Sequence, residues 1–117
     1  MRPESGDAAY LWDMRDAAKA LQGFVAGVQP REYTASRLLQ AGVERQIEII
    51  GEAARRVSDM FRDAHPEIPW RGIIAQRNVV THDYGEILIE RIWNVATERI
   101  PELIDALNAL IPPIGED

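Results

Sequence analysis

The feature that most restricts the fold is a row of apolar residues, Leu39, Val43, Ile47, Ile50, Ala54, Val57 and Phe61, advancing by steps of three or four. A second row, Ile49, Ala53 and Met60, runs beside it. That period is helical, and apolar residues on so wide an arc imply burial against more than one neighbour. The spacing predicts a central helix from about Thr34 or Ser36 to Asp63, covered either by two helices of its own chain or by a second subunit. Gly42 and Gly51 fall inside it. Each glycine costs a helix interior about 1 kcal/mol relative to alanine, and the compensation expected is close approach of another backbone.

The same period recurs on both sides. Leu11, Met14, Ala18, Leu21, Val25 and Val28 predict a first helix from Asp7 to about Val28. The segment Gln29 to Thr34 interrupts it at Pro30, since proline restrains the residue before it and donates no backbone hydrogen bond; a short connection with room for one helical turn is expected. After the two-proline connector Ala64 to Pro69, in which His65 is a loop residue, Trp70 to His82 reads as a third helix with Ile73, Ile74, Val79 and Val80 for its buried side. Gly85 ends it. From Glu86 a fourth helix turns Ile89, Ile92, Trp93, Ala96, Ile100, Leu103, Leu107 and Leu110 inward, with Pro101 kinking it near Glu98 to Ile100 and Pro112 and Pro113 closing it. There is no alternating strand pattern, repeat or linker. An all-α, antiparallel four- to five-helix bundle occupying residues 1–117 as one domain follows.

Composition removes several classes of function. No cysteine is present and the two histidines, His65 and His82, lack zinc-ligand spacing, so a thiolate site or disulfide framework is excluded. No apolar run reaches the roughly 18 residues a membrane span needs, and no apolar signal core follows Met1 to Gly6, so a cytoplasmic protein is expected. The net charge of −6 argues against a general nucleic-acid coat, which depends on many basic contacts to phosphate. Local basic pockets remain open: of 13 basic residues all but Lys19 are arginine, and Arg55, Arg56, Arg62, Arg71 and Arg77 crowd the middle of the chain. An acidic exterior also suits a basic protein partner.

The densest chemistry is Arg77-Asn78-Val79-Val80-Thr81-His82-Asp83-Tyr84, closed by Gly85. An arginine holds a phosphate through two parallel charge-assisted hydrogen bonds, and a histidine moves protons near neutral pH. Together they point to phosphodiester chemistry. The simpler alternative is a helix end whose late histidine complements the dipole and whose glycine caps it. Positions five apart on a regular helix point about 140° apart. Arg77 and His82 therefore meet on one ligand only if the helix loosens near His82 or a groove is completed from elsewhere, for example by a second subunit across a twofold axis.

At these residues the chain resembles the HepT-like toxins of the HEPN superfamily. The likeness rests on Arg-x4-His-x-Tyr, on Ile68-Pro69-Trp70-Arg71 and on Val43-Glu44-Arg45-Gln46-Ile47-Glu48-Ile49-Ile50-Gly51-Glu52-Ala53-Ala54, and it covers most of the chain. It implies an all-helical HEPN homodimer, dimerising through its helices, with a composite, metal-independent endoribonuclease site and no cofactor. Arg77 and His82 match the catalytic pair, with histidine in proton transfer and arginine on the phosphoryl oxygens while a ribose 2′-hydroxyl attacks phosphorus. Asn78 matches a supporting polar position. The resemblance also implies a type VII toxin-antitoxin pair, in which a minimal nucleotidyltransferase antitoxin transfers AMP to the motif tyrosine, here Tyr84.

Other polar residues carry two readings each. Glu44, Glu48 and Glu52 step by four and form a solvated face or serve a dimer site. Arg45 and Arg55 or Arg56 line an RNA path or pair with acids three or four residues away. Asp83 aids His82 or is simply exposed. Trp12, Trp70 and Trp93 are core or interface anchors. The competing function is a noncatalytic HEPN module that binds a nucleotide or a nucleotidyltransferase, and beyond it a purely structural helical adaptor, in which Arg77 and His82 would be dispensable.

Overall fold

The computed structural model describes residues 5–82 and 85–111, and of Ser5, Arg77, Thr81, His82, Glu86 and Ile87 it describes the backbone alone. Among the described residues every regular element is helical. The first helix, α1 (Ser5–Val25), buries Leu11, Met14, Ala18 and Leu21 completely. It ends before Gly27, whose φ of 74° is a left-handed conformation that costs glycine no steric penalty. The connection then folds into α2 (Pro30–Ala35), started by Pro30 in the first turn and by Glu32, whose carboxylate accepts the Gln29 N–H at 2.8 Å.

The long helix expected over residues 36–63 is two helices, α3 (Arg37–Arg56) and α4 (Asp59–Ala64). The break is made by a residue far away in sequence. Val57 turns extended, and Ser58 becomes the N-cap of α4, its Oγ accepting the Phe61 N–H at 3.2 Å. The Asp7 carboxylate from α1 takes the Ser58 N–H at 2.8 Å and its hydroxyl at 2.7 Å. The first apolar row survives the break, with Val43, Ile47, Ile50, Ala54, Val57 and Phe61 all buried. The second row does not: Ala53 is buried and Ile49 half-buried, but Met60 is 74% exposed because α4 leaves the line of α3. Gly42 has a different neighbour from the one expected, since an added Cβ would touch the Phe24 ring, a side chain, at 3.4 Å.

Helix α3 is central, packed against α1 on one side and α5 (Trp70–His82) on the other. It runs antiparallel to α1: Asp7 meets Ser58 at one end of the pair and Phe24 meets Gly42 at the other. A long rod closes the bundle, made of α6 (Gly85–Asn94), a π-helical turn at Val95–Arg99 and α7 (Ile100–Leu110). The π turn stands where a proline kink is expected. Pro101 has no N–H to give and its ring collides with the carbonyl four residues back, so the preceding turn widens and the Ile100 N–H bonds to the Val95 carbonyl. Ile92, Ala96, Ile100, Leu103 and Leu107 face inward, as their spacing predicts. Arg15 of α1 donates to the Asn108 side chain at 3.0 Å and so ties α7 to α1. No helix among the described residues is long and apolar enough to cross a membrane.

Candidate functional site

Helix α5, which carries the Arg77 to His82 stretch, has the bounds its sequence predicts. Its entry is fixed by the connector before it. The Trp70 indole N–H donates to the His65 carbonyl at 2.9 Å, and the Ile73 N–H to the Pro69 carbonyl at 3.0 Å. His65 caps α4, lays its ring 4.4 Å from that of Phe61, and meets the Glu67 carboxylate at 3.1 Å. The Glu67 carboxyl is held below the usual range, first by its own backbone N–H and then by His65. With Trp70 and Ile68 buried, the first turn of α5 is clamped to the core.

From that clamp α5 carries Arg77 and His82 on its second half. Their side chains, and Asp83 and Tyr84 altogether, lie outside the described residues. Asn78 is exposed on the same helix, and Gly85, with φ of 63°, makes the left-handed turn that opens α6. Ile73, Ile74, Val79 and Val80, expected to be the buried side of α5, are each only half-buried. Among the described residues nothing closes over that face completely.

Part of the uncovered surface is a groove of about 520 Å³. Its floor is Ile47 and Ile50 of α3, one wall is Gly72, Ile73 and Gln76 of α5, and the other includes Arg99, Leu103 and Ala106. The Gln76 side-chain oxygen is buried there without a hydrogen-bond partner among the described residues.

A second polar site lies at the corner of α2, α3 and α6. Tyr33 is 1% exposed, its ring 5.1 Å from that of Trp93, and its hydroxyl is buried with no partner among the described residues. The Gln40 side chain donates to the carbonyls of Tyr33 and Thr34, both at 2.9 Å, and so fastens α2 to α3. Burial pushes the Tyr33 phenol well above its ordinary range, and the charge of nearby Glu44 pushes it further. Glu44 is itself held above the usual carboxylate range, by burial first and then by Glu48. Sequence reasoning passes over Tyr33 because it sits in a proline-led connection; the Pro30 start with Glu32 behind it is the local signal that the connection is helical.

The remaining candidates divide. Glu52 is an ion-pair residue, taking Arg55 at 2.9 Å and Arg56 at 3.4 Å, so those two arginines pair along the helix as the spacing allows. Arg45 is exposed. Trp70 is a core anchor, Trp93 packs against Tyr33, and Trp12 carries the Arg15 guanidinium 4.1 Å above its ring. Among the described residues no three His, Asp or Glu side chains are grouped to hold a metal ion.

Comparison with known proteins places this geometry. Residues 14–110, from the middle of α1 to the end of α7, match the family model described as Ribonuclease HepT-like. The chain is 32% identical over 94 residues to "Probable ribonuclease HepT" of Thermococcus cleftensis, covering 80% of this chain and 86% of that protein. It is 30% identical over 95 residues to "Putative RNase MJ1380" of Methanocaldococcus jannaschii, covering 81% of this chain and 87% of that one. A further protein of the same archaeon, "Putative RNase MJ0127", is 29% identical over 116 residues, which is 98% of this chain and 96% of the relative. No solved structure matches the chain at a significant level. The helical bundle, the Arg-x4-His-x-Tyr stretch on and just past α5, and a family match across nearly the whole described region lead to one assignment: this chain belongs to the HepT-like family of the HEPN superfamily.

Proposed function

We propose that this protein is an endoribonuclease, the toxin of a type VII toxin-antitoxin pair, acting as a homodimer whose two copies of α5 together form the catalytic groove. The observation that carries the reading is the family match across α5, with Arg77, His82 and Tyr84 at the motif positions. Arg77 binds the phosphoryl oxygens and His82 moves the proton while a ribose 2′-hydroxyl attacks the adjacent phosphorus. Neither step calls on a metal ion. Asn78, exposed beside Arg77, orients the phosphate. Because positions 77 and 82 diverge by about 140° on a regular helix, a groove shared between two copies is the arrangement that lets an arginine and a histidine face one phosphate. The half-buried apolar residues of α5 supply surface for such an interface.

Control comes through Tyr84. A minimal nucleotidyltransferase antitoxin transfers AMP to its hydroxyl, placing a phosphodiester charge and a bulky base within two residues of His82, where they compete with RNA for the site. The test is cleavage of RNA by the purified protein against Arg77→Ala and His82→Ala proteins that remain folded. Loss of cleavage in both supports the reading. Cleavage at the parental rate in either would remove that residue from the chemistry.

A further inference from the structure

The corner built by Tyr33, Glu44 and Glu48 is incomplete within one chain. Two half-buried glutamates one turn apart face the same way on α3, and neither has an ion pair or hydrogen bond among the described residues, whereas Glu52 one turn further holds two arginines. Near Glu44 is the Tyr33 hydroxyl, buried and without a partner among the described residues. Each carboxylate raises the proton affinity of what stands next to it, Glu48 that of Glu44 and Glu44 that of Tyr33. What would satisfy all three is a planar cation bearing several N–H donors, and a guanidinium is the side chain of that description. A negatively charged polymer would be repelled by the same pair.

The chain carries a matching guanidinium on the same edge of the same helix. Arg37, Glu44 and Glu48 fall within about 40° of one another around α3, with Ala41 beside them on that edge and between Arg37 and Glu44 along the axis. Arg37 is exposed and also has no ion pair or hydrogen bond among the described residues. It lies on the far side of Ala41 from both glutamates, about 6 Å along the axis, while Glu44 and Glu48 lie about 4.5 and 10.5 Å in the opposite direction. A twofold axis through Ala41 therefore sets Arg37 of one copy between the levels of Glu44 and Glu48 of the other, twice over. The alanine allows the two helices to come close, and exposed Leu38, next to this edge, would be covered.

We propose that the dimer is fastened by two copies of α3 paired antiparallel about Ala41, with the partner's Arg37 docking on Glu44 and Glu48 of each chain. The docked guanidinium keeps Glu44 ionised, and an ionised Glu44 is the acceptor that the Tyr33 hydroxyl otherwise lacks. The inference rests on the proposed homodimer and names the contact that selects a second copy as the partner.

The test uses two variants of the full chain, Arg37→Glu and the double variant Glu44→Arg with Glu48→Arg, with dimer affinity measured by analytical ultracentrifugation and masses by native mass spectrometry. Each variant alone sets like charges against each other at both contacts, and its dimer should weaken at least tenfold. An equimolar mixture of the two sets opposite charges at both contacts. It should give a heterodimer with affinity near that of the parent, which also shows that both variants are folded. A parent that dimerises with Arg37→Glu dimerising equally well, or a mixture that yields no heterodimer, would overturn the α3 contact and leave the dimer itself standing. A monomeric parent would overturn both.

Discussion

Asp7 and Ser58, 51 positions apart, share two hydrogen bonds that fix the direction of the chain between the third and fourth helices. The carboxylate is 5% exposed and takes both the backbone N–H and the hydroxyl of Ser58, while that same hydroxyl oxygen caps α4. Replacing Asp7 with alanine strands a part-buried N–H, which costs about 1–3 kcal/mol. Ser58→Ala removes the helix cap and one partner of the carboxylate, and about 1 kcal/mol is expected for the cap alone. Urea denaturation of the two single variants and the double variant should show strong non-additivity, since both changes dismantle the same contact. Additive losses would mean that the two residues act separately.

Two glycines of the first helix and its exit should respond in opposite directions to alanine. Gly23 lies inside α1 with open space where a Cβ would go, so Gly23→Ala is expected to stabilise by about 0.5–1 kcal/mol. Gly27 also has open space, but its φ of 74° is unfavourable for any residue with a Cβ, and Gly27→Ala should destabilise by about 1–2 kcal/mol. Shifts of the same sign in thermal unfolding would contradict the backbone argument.

Glu44 gives a pH signature whose sign is fixed. Burial and Glu48 raise its proton affinity in the folded chain above the unfolded value, so the ionised group opposes folding at neutral pH. That penalty disappears as pH falls through the raised folded value toward the ordinary carboxylate range. In an Arg37→Glu background, where no second copy supplies a guanidinium, Glu44→Gln should raise the urea midpoint at pH 7, and the advantage should shrink at acid pH. An advantage that grew on acidification would show that Glu44 is stabilised as the anion.

Cleavage of RNA should continue in the presence of a chelator, because the proposed chemistry takes its proton transfer from His82 and its phosphate anchor from Arg77. Asn78→Ala should slow the reaction by about tenfold, the loss of one charge-supporting hydrogen bond or roughly 1.4 kcal/mol in the barrier. Its exposure on α5 means that folding should be unaffected. Single-turnover assays with and without EDTA check both statements, and a rate that collapsed on chelation would end the metal-free scheme.

Legibility in the sequence followed the range of the forces involved. Helix α5 is entered from a proline connector, a local signal, and its start at Trp70 is readable to the residue, whereas Gly85, expected to end it, is the first residue of α6 and the two residues before it lie outside the described residues. The rod after Gly85 shows its inward face and its irregularity at Pro101 for the same reason. The break between α3 and α4 is not readable, because apolar spacing runs straight through it and the residue that enforces it, Asp7, arrives from α1. Tyr33 escapes notice because a tyrosine between proline and threonine looks like loop chemistry until Gln40 and Trp93 close around it. Of the candidate site, the residue types on α5 were legible and their phase on the helix was calculable. The polar corner on α3 was not, since Glu44, Glu48 and Glu52 look alike in sequence, and only the fold shows that Glu52 takes Arg55 and Arg56 while the charge of Glu44 acts on the buried Tyr33.

The π-helical turn at Val95–Arg99 holds one residue more than a regular helical turn needs. A helix with one residue too many in a turn can absorb a deletion and become regular, so a chain shortened by one residue here would still be helical. Because the widened turn already takes up the surplus residue, everything on its N-terminal side would keep nearly its present phase about the rod axis relative to α7, and Trp93 would stay on Tyr33. A residue removed from the regular helix α6 would instead rotate what precedes it by about 100°, and the direction from which the chain enters α6 would swing with it. Single-residue deletions between Val95 and Arg99 should therefore be tolerated better than single-residue deletions in α6.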